Sequence, residues 1–337
     1  MPEWSILKII PGLCVAALIT LAAQALVLAE TFLLGYELMD GLVFAIVLGT
    51  LFHTVAGLAP SLKAGVDFSA TVVLEIAIVL LGASVSIATI ADAGGLMIGI
   101  VAGTVILSLM ASYGLCRMLG LPDQLATLVA CGNSICGNSA IVAAAPVIGA
   151  RSDDVAASVA FTAALGIVVV ILLPPLFPLF RFSEWQYGVF AGMTVYAVPQ
   201  VLAATAPVGV ASVQIGTLVK LLRVLMLGPV ILLLRLKTGS SLRQGGQLPF
   251  GRLVPWFIVG FFLMMCLRSL AVIPGNVLDV AKSGSTVLTT VSMAALGLSV
   301  DMRTVFASGG RVLLAGMLSL ATLGMLSVLG LAILHSP

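Results

Sequence analysis

Residues Cys131-Gly132-Asn133-Ser134-Ile135-Cys136-Gly137-Asn138-Ser139 set two Cys-Gly-Asn-Ser units five residues apart, inside an apolar run from about Leu125 to Gly149. A lipid-facing helix would not carry amide and hydroxyl side chains with two glycines at that depth. Lipid offers no partner to a backbone group freed from its helix, so such a stretch must be buried in protein or line a cavity. It reads as a helix interrupted near 132–138, with the rest of the chain built around it.

The composition points the same way. Of 337 residues, 61% are hydrophobic and 8% charged, whereas soluble domains are roughly 45–50% apolar and about 25% charged. That gap predicts an all-α, multi-pass protein of the lipid bilayer. The apolar runs are too long for strands and lack period-two alternation. No basic cluster with aromatics suits nucleic acid. The cysteines Cys14, Cys116, Cys131, Cys136 and Cys266 make no CxxC pair, so neither a metal site nor a disulfide framework is expected. No HExxH, GxSxG, P-loop or dinucleotide fingerprint is present, and the expectation is a non-enzyme. The first segment is too long and too weakly basic at its start for a cleaved signal peptide.

A window of about 20 apolar residues gives eleven spans, at roughly 6–29, 40–58, 69–90, 94–115, 122–149, 155–180, 186–207, 212–235, 252–273, 276–299 and 309–334. With this count one side collects ten cations, Lys8, Lys63, Arg117, Arg181, Arg235, Lys237, Arg243, Arg252, Arg303 and Arg311, and the other side two, Arg151 and Arg268. Positive residues favour the cytoplasm, which puts the N-terminus inside and the C-terminus outside. The polar stretch 236–251 reads as a cytoplasmic linker. Two short echoes suggest duplication. Leu81-Gly82-Ala83-Ser84-Val85 returns inverted as Leu296-Gly297-Leu298-Ser299-Val300, while Ala144-Ala145-Pro146-Val147 returns as Thr205-Ala206-Pro207-Val208 in a span of the same direction. The two cannot belong to one simple repeat under this count.

The candidates for chemistry follow from residues that lipid would reject. A half-helix starting near Asn138 would present free N–H groups and a positive dipole end, a ready anion site. Asn133, Ser134, Gly137, Asn138 and Ser139 are its expected contacts. Lys220 and Arg223 share one face of the eighth span. There they must be solvated or paired, by substrate, by an intramembrane acid or by carbonyls. Glu75, alone in the third span, is either a carrier of the coupling ion or the partner of one of these cations. Asp279-Val280-Ala281-Lys282-Ser283-Gly284-Ser285-Thr286 is the second polar interruption. It predicts a second broken helix, with Ser283, Ser285 and Thr286 facing the first. Pro199 should kink the seventh span, leaving Tyr196 and Gln200 to line a cavity. His53, near the cytoplasmic end of the second span, is more in keeping with packing than with a proton relay.

The motif Cys131–Ile141 followed by Ala145-Pro146-Val147-Ile148 resembles the signature of the YeiH-type sulfate exporter family of bacterial inner-membrane proteins. Val219-Lys220-Leu221-Leu222-Arg223-Val224, Pro255-Trp256-Phe257-Ile258-Val259-Gly260-Phe261 and Ala294-Ala295-Leu296-Gly297-Leu298-Ser299 fit in order, and the likeness spans nearly the whole chain. The resemblance implies the architecture of bile-acid symporters and sodium/proton antiporters: an inverted five-plus-five repeat with two crossing discontinuous helices. Mapped here, residues 1–30 form an extra helix, 31–182 the first repeat and 183–337 the second. Spans 5 and 10 would carry the breaks. Spans 4–6 and 9–11 would form a moving core, and spans 2, 3, 7 and 8 a static panel holding Glu75, Lys220 and Arg223. It further implies a secondary transporter of a small anion, sulfate or an organosulfonate, with H+ or Na+ as coupling ion and no other cofactor; an anion channel is the alternative. A homodimer is compatible with this class. One segment departs from the family pattern: Thr194–Gln200 stands where members often carry a histidine, which bears on specificity or coupling.

Overall fold

The computed structural model describes residues 6–34, 40–85, 87–237, 255–270, 272–303 and 310–334. Among these no strand occurs. The expected linker 236–251 lies outside them except for Leu236 and Lys237, which end a helix. Among the described residues six helices are long and apolar enough to cross a membrane: Leu7–Leu33, Pro60–Gly82, Gly95–Met118, Ser152–Leu172, Val210–Leu236 and Gly310–Ile333. The chain forms two compact units.

The first unit comprises Met1–Ile90, Leu202–Pro207 and Trp256–Arg303. It holds α1 (Ile6–Leu34), α2 (Gly41–Ala56), α3 (Pro60–Phe68), a π-turn at Ser69–Val73 that joins α3 to α4 (Leu74–Gly82), and two later helices, Trp256–Ser269 and Gly275–Leu298. Without a hydrophobic drive between helices in lipid, close backbone approach through small residues has to hold them. A Cβ placed on Gly49 would lie 2.4 Å from the Ala294 carbonyl oxygen, and one on Gly297 2.2 Å from that of Ile46. Gly12 and Gly65 make a similar contact between α1 and α3.

Two expectations are corrected in this unit. The helix Gly275–Leu298 is continuous, so no break exists at Ser283–Thr286. The hydroxyls are satisfied without one. Thr286 donates to the Lys282 carbonyl at 3.1 Å and Thr289 to that of Ser285 at 2.7 Å, within the helix, and Ser285 donates to Ala77 at 2.8 Å. Such back-bonding lets hydroxyl residues sit inside a helix. Ser283 is exposed. Glu75, in turn, takes a neutral partner rather than a cation: the indole Nε1 of Trp256 donates to its Oε2 at 2.6 Å.

The second unit comprises Ala91–Val201, Val208–Pro255 and Thr304–Pro337. It holds most of α5 (Ile87–Met118), then α6 (Asp123–Ser134), α7 (Asn138–Ile148), α8 (Ser152–Leu172), the short α9 (Leu176–Phe180), α10 (Glu184–Thr194) and the start of α11 (Val198–Thr205). α12 (Val210–Leu225) and α13 (Leu227–Lys237) follow. In chain order α14 (Trp256–Ser269) and α15 (Gly275–Leu298) belong to the first unit, and α16 (Gly310–Ile333) completes the second. Span 8 and the part of span 7 up to Val201 thus share a unit with spans 4–6 and 11, while 9 and 10 join 2 and 3.

The main correction concerns the interrupted spans, which fold back on themselves. The Gln124 side chain, in the first turn of α6, donates to the carbonyl of Gly149, just past the end of α7, at 3.0 Å. α6 and α7 therefore begin and end at the same level and form a hairpin with its tip at Ile135–Gly137. The second interruption is in the seventh span: α10 stops at Thr194 and α11 starts at Val198. Pro199 sits in the first turn of α11, where its missing N–H costs nothing, so it opens a helix instead of kinking one. α10 and α12 run in the same direction. The Ser212 hydroxyl donates to the Glu184 carbonyl at 2.6 Å, and a Cβ on Gly192 would lie 2.5 Å from the Gly216 carbonyl oxygen. Between two parallel helices that start side by side, the chain must turn round at Val195–Ala197 and come back.

Candidate functional site

The hairpin tips face each other through α12. Lys220 Nζ donates to the Ile135 carbonyl at 2.6 Å and to the Val195 carbonyl at 2.9 Å, one from each tip. Arg223 spreads its guanidinium over both: Nε to Ser134 O at 3.3 Å and Nη2 to Asn133 O at 3.2 Å on one hairpin, and Nη1 to Gly192 O at 3.0 Å, Met193 O and Val195 O at 3.2 Å on the other. These carbonyls are the orphans that any helix leaves at its C-terminus, here those of α6 and α10. Both helices end there with their negative dipole ends, which cations stabilise. Lys220 is 0% and Arg223 1% exposed, and among the described residues neither meets a carboxylate. Their three-residue spacing puts both on the face of α12 that Gly188 and Gly192 allow α10 to approach.

Side chains complete the joint. The Tyr196 hydroxyl donates to Asn133 Oδ1 at 2.9 Å, tip to tip. Asn133 Nδ2 is buried without a partner. Ser134 Oγ is 2.9 Å from Ser108 Oγ on α5. Gln200 accepts from the Ala197 N–H at 3.1 Å, capping α11 from its own first turn. Gly137, with φ 68° and ψ −126°, makes the reversal into α7, a backbone region that is nearly glycine-only. Its carbonyl accepts from the Ala140 and Ile141 N–H groups. Asn138 and Ser139 open α7 and are exposed, and Thr162 on α8 donates to Asn138 Oδ1 at 2.6 Å.

Of the residues singled out in the sequence, the second unit brings together Asn133, Ser134, Gly137, Asn138, Ser139, Tyr196, Gln200, Lys220 and Arg223. Glu75, Ser283, Ser285 and Thr286 belong to the first unit. Ser108, Thr162 and the carbonyls of Gly192–Val195 join the site without having stood out in the sequence. The last carry no side-chain signal. Ser108 and Thr162 could have been found as hydroxyls recurring at helical spacing on otherwise apolar helices.

The family described as Conserved hypothetical protein 698 matches residues 11–316. A UPF0324 membrane protein of Agrobacterium fabrum is 54% identical over 322 residues, covering 95% of this chain and 91% of its own length. One of Brucella melitensis is 53% identical over 341 residues, with 98% and 95% covered, and one of Bacillus cereus 35% identical over 326 residues, with 96% and 94% covered. No solved structure matches. The chain is a membrane protein of the Conserved hypothetical protein 698 family, the UPF0324 membrane proteins, which is the YeiH-type family its Cys-Gly-Asn-Ser motif pointed to.

Proposed function

We propose that this protein is a secondary transporter of a small oxyanion, sulfate or an organosulfonate, working by alternating access in the bacterial inner membrane. The observation that carries the reading is the pair of hairpins joined tip to tip by Lys220 and Arg223. Irregular backbone at membrane depth is tolerated only in protein or at a cavity, and interrupted helices at mid-membrane are where transporters bind. The anion would sit at the exposed start of α7, on Gly137, Asn138 and Ser139. Asn133, Ser134, Tyr196, Gln200, Lys220 and Arg223 would hold the tips in place around it.

The hairpins also change the topology we propose. α1, α2, α3–α4, α5, α8, α12–α13, α14, α15 and α16 cross, nine in all, and two hairpins enter from opposite faces. The cytoplasmic side then holds Lys8, Lys63, Arg117, Arg151, Arg235, Lys237, Arg243, Arg252, Arg303 and Arg311, again ten, against Arg181 and Arg268 outside. The N-terminus stays cytoplasmic and the C-terminus periplasmic, and positive-inside favours this as well as the eleven-span count. Both echoes become inverted, because Pro146 ends a hairpin on the cytoplasmic side and Pro207 one on the periplasmic side. An inverted duplication is supported by both.

The test is counterflow of labelled sulfate, and of labelled methanesulfonate, in proteoliposomes of the purified protein. Uptake against excess internal unlabelled anion, lost in Asn138→Leu, is the expected result. No counterflow of any tested oxyanion would refute the reading, and single-channel current steps would replace it with a channel.

A further inference from the structure

The two copies of the Cys-Gly-Asn-Ser motif meet through one residue of α8, Thr162, which is buried. A Cβ on Gly132 would lie 3.2 Å from Thr162 Cγ2, so the glycine of the first copy makes room for the Thr162 methyl. The hydroxyl goes to the asparagine of the second copy, 2.6 Å from Asn138 Oδ1. It also lies 3.0 Å from the carbonyls of Ser158 and Val159, but a hydroxyl has a single hydrogen to give, and the shortest contact takes it. The distance also fixes which end of the amide Thr162 meets. O–H···O bonds run at about 2.5–3.0 Å and N–H···O bonds at about 2.7–3.2 Å. The 2.6 Å contact therefore suits a hydroxyl donating to Oδ1 and is too short for Nδ2 donating to the hydroxyl. Nδ2 is thereby turned away from Thr162. Asn138 is exposed, and among the described residues its Nδ2 has no partner. The N–H groups that open a helix find no acceptor within it. Those of Ala140 and Ile141 go to the Gly137 carbonyl, which occupies that acceptor and leaves the N–H groups of Asn138 and Ser139. A ligand at the start of α7 thus meets donors, apart from the Ser139 hydroxyl, which can either donate or accept.

We propose that Thr162 is a positioning residue that sets the selectivity of the anion site. With Asn138 Oδ1 held at Thr162, the site turns donors to its ligand and keeps its acceptors occupied. It therefore takes an oxyanion whose oxygens carry no hydrogen, such as sulfate or a sulfonate, and rejects one that carries a hydroxyl, such as hydrogenphosphate or bicarbonate. A ligand hydroxyl pointed at Asn138 Nδ2 sets hydrogen against hydrogen, and a polar group left without its partner on desolvation is expensive. Without the Thr162 hydroxyl the amide is free to turn over and offer Oδ1 to that hydrogen. This selectivity rests on the reading above that the anion sits at the start of α7.

Equilibrium binding of labelled sulfate to the purified full-length protein tests this. At mildly alkaline pH phosphate is mainly the hydrogenphosphate dianion, which equals sulfate in charge and shape and differs by its hydrogen. Hydrogenphosphate should displace the label about a hundredfold less well than unlabelled sulfate does. Thr162→Val should narrow that ratio about tenfold, and Thr162→Ser, which keeps the hydroxyl, should hold it at the wild-type value. Equal displacement by the two anions in the wild type overturns the proposal. So does a Thr162→Val protein that loses affinity for both in equal measure, because a merely structural residue would behave that way. If Thr162→Val does not fold, Thr162→Ala is read the same way. Sulfate binding with the expected ratios but without counterflow refutes the transporter alone. Counterflow with indifferent binding refutes the selectivity alone, and a protein that binds no oxyanion refutes both.

Discussion

Replacing Lys220 by methionine keeps the length of the side chain and removes its donors. Two hydrogen bonds go, at 2.6 Å to Ile135 and 2.9 Å to Val195. They are not equivalent, because the Val195 carbonyl keeps Arg223 at 3.2 Å, whereas among the described residues Lys220 is the side-chain donor shown to that of Ile135. One buried carbonyl is therefore bared, at roughly 1–3 kcal/mol, and one charge-assisted bond is lost from a shared acceptor. Relief of a second buried cation offsets part of this, leaving a loss of about 2–4 kcal/mol. Arg223→Met bares more: the carbonyls of Asn133, Ser134, Gly192 and Met193 lose their side-chain donor. Removing one member of a buried charged network costs about 3–5 kcal/mol, so Arg223→Met should be the worse of the two. In a thermal ramp of the detergent-solubilised protein, Lys220→Met should lower the midpoint by roughly 4–8 °C, taking about 2 °C per kcal/mol for a chain of this size. Arg223→Met should lower it further. A midpoint for Arg223→Met at or above that of the wild type would show that the cations do not hold the tips, and would return them to the role of substrate ligands.

Three further outcomes are expected. Gly137→Ala forces a side chain into φ 68°, ψ −126° and to 3.3 Å from Tyr196 Cβ, so the midpoint should fall by the equivalent of roughly 1–3 kcal/mol; an unchanged midpoint would mean the tip reversal is not as described. Gly297→Leu would drive a side chain into the Ile46 carbonyl at 2.2 Å and should abolish monodisperse protein on gel filtration, whereas Gly99→Leu, with nothing within 4 Å, should express as the wild type does. Glu75→Gln keeps an acceptor for Trp256 and should leave both the midpoint and the pH dependence of sulfate counterflow unchanged. A changed pH dependence would make Glu75 the carrier of a coupling proton.

The polar break at 131–139 was legible because lipid penalises it, and the buried cations because they stand alone in an apolar span. The hairpins were not legible from hydropathy. A 26-residue run with a polar centre, Asp123–Ile148, has the length of one crossing whether it goes through or turns back. The charge count could not separate the two readings either, since folding both runs exchanges Arg181 for Arg151 and keeps the ten-to-two split. The clue lay in the two echoes, which conflict only while 122–149 and 186–207 are taken to cross. At 283–286 the composition misled, because serine and threonine can be satisfied by their own helix, as Thr286 and Thr289 are. Asparagine and glycine at 132–138 cannot do the same.

The order of the chain sets when the Lys220–Arg223 clamp can form. Every carbonyl it binds lies earlier in the sequence, at Asn133–Ile135 and Gly192–Val195. A helix with two cations in its middle enters lipid reluctantly by itself. Here α12 leaves the ribosome after both sets of acceptors have been made, and what greets its charges is a waiting socket. Until then, the tip carbonyls lack the donors that Lys220 and Arg223 supply. Chains interrupted before Val210 would carry bare carbonyls at both tips.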